Sequence, residues 1–78
     1  MTLEIITPEK KLFSGEVNSV KFPGINGEFE ILNNHAPIIS TLSNGEIRVI
    51  THDKDTKKFN INGGVIEMQN NKIIVLAD

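Results

Sequence analysis

Two histidines, four serines, five threonines and ten carboxylates are the side chains of this 78-residue sequence that could carry chemistry. A hydroxyl nucleophile needs a base beside it. Ser14, Ser19, Ser40 and Ser43 are scattered singly, and no Gly-x-Ser-x-Gly elbow occurs. A hydrolase would need a convergence in space that the sequence does not signal. Metal binding would draw on His35, His52, Asp53 and Asp55. Asp53-Lys54-Asp55 begins like a calcium loop, but no glycine stands at its sixth position and no glutamate at its twelfth. Two histidines seventeen residues apart are no zinc signature. "HDKDTKK" reads instead as a solvated hairpin tip. Gly24, Gly27, Gly63 and Gly64 lie between strands, so they read as turn glycines and not as a phosphate cradle opening a helix. No catalytic, cofactor-binding or metal-binding residue is expected.

His35 has two readings. The plain one is a loop histidine that bonds its neighbouring backbone. The other comes from its company in Asn33-Asn34-His35-Ala36-Pro37. Proline removes a donor and biases Ala36 to an extended conformation, and asparagine side chains hold turns. A stiff loop loses little entropy when a partner grips it, which suits docking.

Charge and composition narrow the partners. Ten acids against eight bases give a net charge of -2, spread along the chain. There is no basic stripe for nucleic acid, and four phenylalanines without tryptophan or tyrosine make no stacking platform. Phe13, Phe22, Phe29 and Phe59 read as core. Cysteine is absent, so no disulfide or thiolate site can form. The start, "MTLEIITPEKK", lacks the basic and long apolar regions of a signal peptide. The longest apolar run, Ile73 to Ala77, is too short to span a bilayer. The chain is expected to be soluble, or held at a membrane only through other proteins.

The elements that position these residues follow from period-two alternation. Leu3-Glu4-Ile5 opens a strand and Thr7-Pro8-Glu9-Lys10 turns it. Lys11 to Phe13 leads to a bend or bulge at Gly15. Val17 to Phe22 follows, with Asn18, Val20 and Phe22 on one face. Asn26-Gly27 is a type I′ hairpin signal before Glu28 to Leu32. Asn44-Gly45 is a second of the same kind, between Ile38–Leu42 and Glu46–Thr51. Phe59 and Ile61 share a face before Asn62-Gly63-Gly64. Val65 to Gln69, Asn70-Asn71 and Lys72 to Ala77 complete the set. The last strand, apolar on both faces, is expected to be central and covered twice. The fold class is all-β, an antiparallel β-sandwich of eight to ten short strands in one domain, residues 1–78. Size scaling gives roughly 4,700 Å² of accessible surface. Ile5 with Ile6, Ile38 with Ile39, Val65 with Ile66 and Ile73 with Ile74 supply more apolar surface than one core needs. The surplus marks an interface.

"TPEKKLFSGEV", "PGINGEFEILNNHAPIISTL", "NGEIRVI" and "INGGVIEMQNNKIIVLAD" together resemble the epsilon subunit of rotary ATP synthases, in order and over essentially the whole chain. The resemblance implies a flattened sandwich and a non-catalytic place in the central stalk, docking on the gamma subunit and the c-ring to couple ion flow to ATP synthesis. It implies c-ring contact by Asn26, Gly27 and Glu28. It implies gamma contact by Thr7, His35, Ala36, Pro37 and Ile38. The implied location is the cytoplasmic face of a bacterial inner membrane, peripheral and through the complex. The alternative is a free-standing sandwich that uses its His-Ala-Pro loop for another protein.

Three positions depart from the family pattern. Asn33 and Asn44 stand where proline is usual, and Glu30 where glycine is usual. Most members continue past the "LAD" close into a helical hairpin that can block ATP hydrolysis and in some bacteria binds ATP. Without it, the sequence as given is expected neither to inhibit hydrolysis by that route nor to bind ATP.

Overall fold

The computed structural model describes residues 1–78 as eight strands and no helix. They are β1 (Thr2–Ile6), β2 (Lys11–Gly24), β3 (Gly27–Leu32), β4 (Ile38–Leu42), β5 (Gly45–Thr51), β6 (Thr56–Ile61), β7 (Gly64–Gln69) and β8 (Lys72–Ala77). The expected all-β sandwich is present, built in two layers. One runs β4-β7-β8-β1 and ends on the first half of β2. The other is β3, the second half of β2, β5 and β6.

β2 is the strand both layers share. Its residues Lys11–Glu16 pair with β1, Val17–Lys21 with β5 and Ser19–Gly24 with β3. A single pairing of Gly24 with Leu42 of β4 closes the far side. Every pair is antiparallel except one. β1 and β8 run parallel, from Thr2 opposite Lys72 to Ile6 opposite Leu76, which corrects the purely antiparallel expectation.

Alternation sorts the side chains. Leu3, Ile5, Val20, Phe22, Ile31, Ile47, Val49, Ile66, Met68, Ile73 and Val75 are fully buried between the layers. Phe22 is the aromatic centre. Phe13, Phe29 and Phe59 are half-buried and pack against the core from its rim, with ring centroids 5.8 Å apart for Phe13–Phe59 and 5.5 Å for Phe22–Phe29. The accessible area, 4695 Å², agrees with size scaling for a chain of this mass.

Several local expectations are corrected, each for a physical reason. Gly15 keeps its register opposite Leu3, and the Phe13 ring lies over it where a side chain would be. Register shifts lie on either side of Gly15, one at Leu12 opposite Ile5–Ile6 and one between Val17 and Ser19. At the second, the extra residue turns Asn18 to solvent while Val17 and Val20 both face the core. The β2–β3 turn is Ile25–Asn26, with positive φ only at Gly27 (120°), so it is not type I′. Ser43–Asn44 joins β4 to β5, which do not pair, so this segment crosses between layers and is no hairpin. A type I′ turn does occur at Asn70–Asn71, with φ 54° and 59°. β8 is central, between β7 and β1, but covered on one face only: Leu76 is 52% exposed.

Candidate docking surfaces

The registers give the molecule two ends. Met1, the Asn33–Pro37 loop and the Asn70–Asn71 turn share one, the His35 end. The nitrogen of Met1 donates to Asn33 Oδ1 (2.9 Å), and the Asn34 N–H donates to Asn71 Oδ1 (2.8 Å). The other is the Glu28 end. It gathers the Ile25–Asn26 turn, Ser43, Gly63, Thr7 and Asp78. There the Ile25 N–H donates to Thr41 O (3.3 Å), Ser43 N–H to Pro23 O (2.7 Å) and Asp78 N–H to Gly63 O (3.0 Å). The five residues of β4 hold the ends roughly 16 Å apart.

At the His35 end the loop opens with a turn closed by His35 N–H donating to Leu32 O (3.3 Å). Asn34, with φ 62°, holds its left-handed third position. The His35 Nδ1 lies 2.6 Å from Ala36 O. A carbonyl only accepts, so this contact selects the Nδ1–H tautomer and leaves Nε2 the acceptor. It is also the neighbouring-backbone bond that the plain reading of His35 describes. His35, Ala36 and Pro37 are all exposed. Ile38 is half-buried against the core, and its neighbour Ile39 is the outward residue, 78% exposed.

At the Glu28 end, Asn26, Gly27 and Glu28 are exposed, and Glu28 Oε1 lies 3.3 Å from Lys21 Nζ. Ile25 beside them is 60% exposed. One apolar residue before an Asn-Gly pair carries no periodic signal, so Ile25 is not legible in the sequence. Thr7 also sits at this end. Its hydroxyl closes the β1–β2 turn, donating to Lys10 O (2.9 Å) and accepting from Lys10 N–H (3.1 Å). The structure thus brings His35, Ala36 and Pro37 together and Asn26, Gly27 and Glu28 together, and separates Thr7 from His35 by the length of a strand.

Between the ends lies the outer face of the first layer. Ile39, Val65, Ile74 and Leu76 line a shallow depression of about 220 Å³ there. Val65 stands opposite Thr41 and Leu76, and Leu76 opposite Ile6, so the apolar surface runs diagonally over four strands. It is bordered by Glu4, whose carboxylate lies 3.1 Å from Lys11 Nζ and 3.9 Å from Lys72 Nζ. The Lys11 hydrogen bond and charge, with Lys72 behind them, hold this carboxyl below its ordinary 4.5. His52, Asp53 and Asp55 stand exposed on the β5–β6 tip. No group of three or more histidine, aspartate and glutamate side chains gathers to hold a metal. The largest depression, about 670 Å³, lies at the Glu28 end between Thr7, Thr41, Leu76 and Asp78, open to solvent.

These features define a small closed β-sandwich that presents faces and loops instead of a deep cleft. Over residues 1–78 the sequence matches the model of the family described as ATP synthase, Delta/Epsilon chain, beta-sandwich domain, and the chain belongs to that family. It is 46% identical over 77 residues to the ATP synthase epsilon chain of Chlorobaculum tepidum, covering 99% of this chain and 88% of the relative. To the ATP synthase epsilon chain of Dichelobacter nodosus it is 42% identical over 74 residues, 95% of this chain and 52% of that one. Among solved structures, a chain of the Euglena gracilis mitochondrial ATP synthase superposes with a TM-score of 0.89 at 17% identity, covering 96% of this chain and 48% of that one. A chain from the Tetrahymena thermophila mitochondrial ATP synthase central stalk and c-ring superposes with a TM-score of 0.81 at 18% identity, over 99% and 62%. At such identities the likeness is one of fold.

Proposed function

We propose that this chain is a non-catalytic central-stalk subunit of a proton- or ion-translocating ATP synthase, docking on the gamma subunit and the c-ring to couple ion flow to ATP synthesis. Family membership supports the assembly. The observation that carries the docking reading is the uncovered apolar diagonal Ile39–Val65–Ile74–Leu76 on a sandwich whose core is already full. Gamma lies along this face. A partner of that length meets His35, Ala36 and Pro37 at one end and Thr7 at the other, which accounts for both groups despite their separation. Ile38 supports the contact from beneath while Ile39 makes it. Asn26, Gly27 and Glu28, at the same end as Thr7 but on the second layer, project to the polar loops of the c-ring. The chain has no active site of its own in this reading. In this reading attachment is peripheral and through the complex, on the cytoplasmic face of a bacterial inner membrane; no helix is long and apolar enough to cross a membrane.

The test is gamma binding by the purified chain, compared with Leu76→Glu and Ile39→Glu. Both side chains are exposed, so folding should survive while binding falls at least tenfold. Glu28→Gln should leave gamma binding intact and weaken retention on c-rings in detergent-solubilised membranes. Unchanged gamma binding in both face variants would remove the apolar face from the contact.

A further inference from the structure

Two asparagine pairs far apart in sequence, Asn33-Asn34 and Asn70-Asn71, meet at the His35 end. Three of the four residues, Asn34, Asn70 and Asn71, have left-handed backbones, which asparagine tolerates better than other side-chain-bearing residues. In Asn70–Asn71 this geometry makes the β7–β8 turn, and it leaves the Asn71 amide facing the β3–β4 loop. The Asn71 Oδ1 accepts from the Asn34 N–H at 2.8 Å. Its Nδ2 donates to Asn33 Oδ1 at 3.3 Å. Its backbone carbonyl accepts from Thr2 N–H at 3.1 Å, which ties the turn to β1. One side chain thus spends both its donor and its acceptor on the two residues that precede His35.

We infer that Asn71 is a positioning residue for the docking loop: it holds Asn33 and Asn34, and so fixes the direction in which His35, Ala36 and Pro37 are presented. This deepens the proposed function and rests on its reading of the His35 loop as a gamma contact. The physical case is one of stiffness. Asn33 supplies no proline ring to limit φ. The loop from Asn33 to Pro37 makes only one backbone hydrogen bond of its own, His35 to Leu32. What restrains the Asn34 peptide is an amide lent by the β7–β8 hairpin, which lies next to β4 in the same layer. A loop ordered before contact keeps more of its binding energy.

The test uses two variants of the full chain. Asn71→Gly deletes the amide but adopts positive φ freely, so the hairpin and the unfolding midpoint are kept. Asn71→Asp keeps an acceptor for the Asn34 N–H and loses the donor to Asn33. Amide hydrogen exchange at Asn34 and His35 and the kinetics of gamma binding are measured, with His35→Ala as a control on the loop's role. The expected result in Asn71→Gly is exchange at Asn34 faster by about fivefold and gamma affinity weaker by about threefold to tenfold, on the scale of one exposed hydrogen bond. Asn71→Asp should keep most of the Asn34 protection. Unchanged exchange in Asn71→Gly overturns the inference. So does faster exchange with unchanged binding, if His35→Ala weakens binding. If His35→Ala changes nothing, the loop is no gamma contact and that reading fails, while the restraint on Asn34 is still decided by exchange.

Discussion

Glu30 and Arg48 face each other across the outer surface of the second layer, with Nη2 of the arginine 3.9 Å from Oε2 of the glutamate. Lys21 stands on the strand between them, and Lys58 on the far side of Arg48, so one row of the sheet reads Glu30, Lys21, Arg48, Lys58. Glu30 is therefore matched with cations, although it replaces the glycine usual in the family pattern. The guanidinium is less well served: its Nε is buried without a partner.

The pair is wet, with the two side chains 41% and 45% exposed, and exposed pairs contribute little. Glu30→Gln should shift unfolding free energy by no more than about 0.5 kcal/mol. Arg48→Met keeps the alkyl cover of the sheet and removes the unpaired Nε, so it should be neutral or slightly stabilising. Urea titrations of both variants check this. A loss above about 2 kcal/mol in Arg48→Met would mean the guanidinium has partners beyond Glu30.

Two glycines of the β2–β3 and β6–β7 connections separate conformational strain from collision. Gly27 has φ 120° with nothing within 4 Å of where a Cβ would stand. Gly27→Ala should cost about 1–2 kcal/mol from the backbone alone. Gly64 has φ 155°, and a Cβ there would strike the carbonyl oxygen of Leu76 on the paired strand. Backbone atoms of a central strand cannot yield cheaply, so Gly64→Ala should cost more than Gly27→Ala, at about 3 kcal/mol or above. Thermal unfolding of the two proteins ranks them.

Glu4 sets a pH dependence. Its folded carboxyl titrates below 4.5, first because Lys11 hydrogen-bonds and attracts the ionised form. A depressed carboxylate contributes stability that is complete above its unfolded value and is lost as pH falls through its folded value. The difference in urea midpoint between the native chain and Glu4→Gln should therefore be steady near pH 7 and vanish as pH falls below 4.5 and through the lowered folded value. High salt should shrink it at neutral pH, because the lysines are half-exposed.

Truncation at the centre of the core should rank with the largest of these. Phe22 is fully buried at the centre of the core cluster. Phe22→Ala should cost about 3–5 kcal/mol, close to the whole stability of a domain this small. Phe29, half-buried at the rim, should cost roughly half as much when truncated. Circular dichroism at 25 °C should show a largely unfolded Phe22→Ala beside a folded Phe29→Ala.

Strand positions were legible because a pleated strand turns alternate side chains to opposite faces. Leu3, Ile5, Ile47 and Val49 were assignable from that period alone, whereas in β8 it could not choose between Ile73 with Val75 and Ile74 with Leu76. Pairing was not legible where it is remote. Asn44-Gly45 carries the same local signal whether its strands pair or part, and only the approach of β7 to β4 decides. The parallel meeting of β1 and β8 leaves no trace in either segment. Gly15 suggested an interruption where the Phe13 ring bridges it, so one strand of fourteen residues was read as two. At the surface, the Asn-Asn-His-Ala-Pro composition singled out the His35 loop, whereas the Glu28 turn entered only through the family resemblance. The role of Asn71 could not be read, since nothing in its own neighbourhood names a loop thirty-seven residues away.

The continuity of β2 has a mechanical consequence. In a sandwich whose sheets touch only through side chains, a sideways load lets one sheet slip over the other at the expense of dispersion contacts. Here the covalent chain itself passes from sheet to sheet. Slippage would have to stretch peptide bonds or strip a ladder along its whole length, so twist applied to either surface is felt by both.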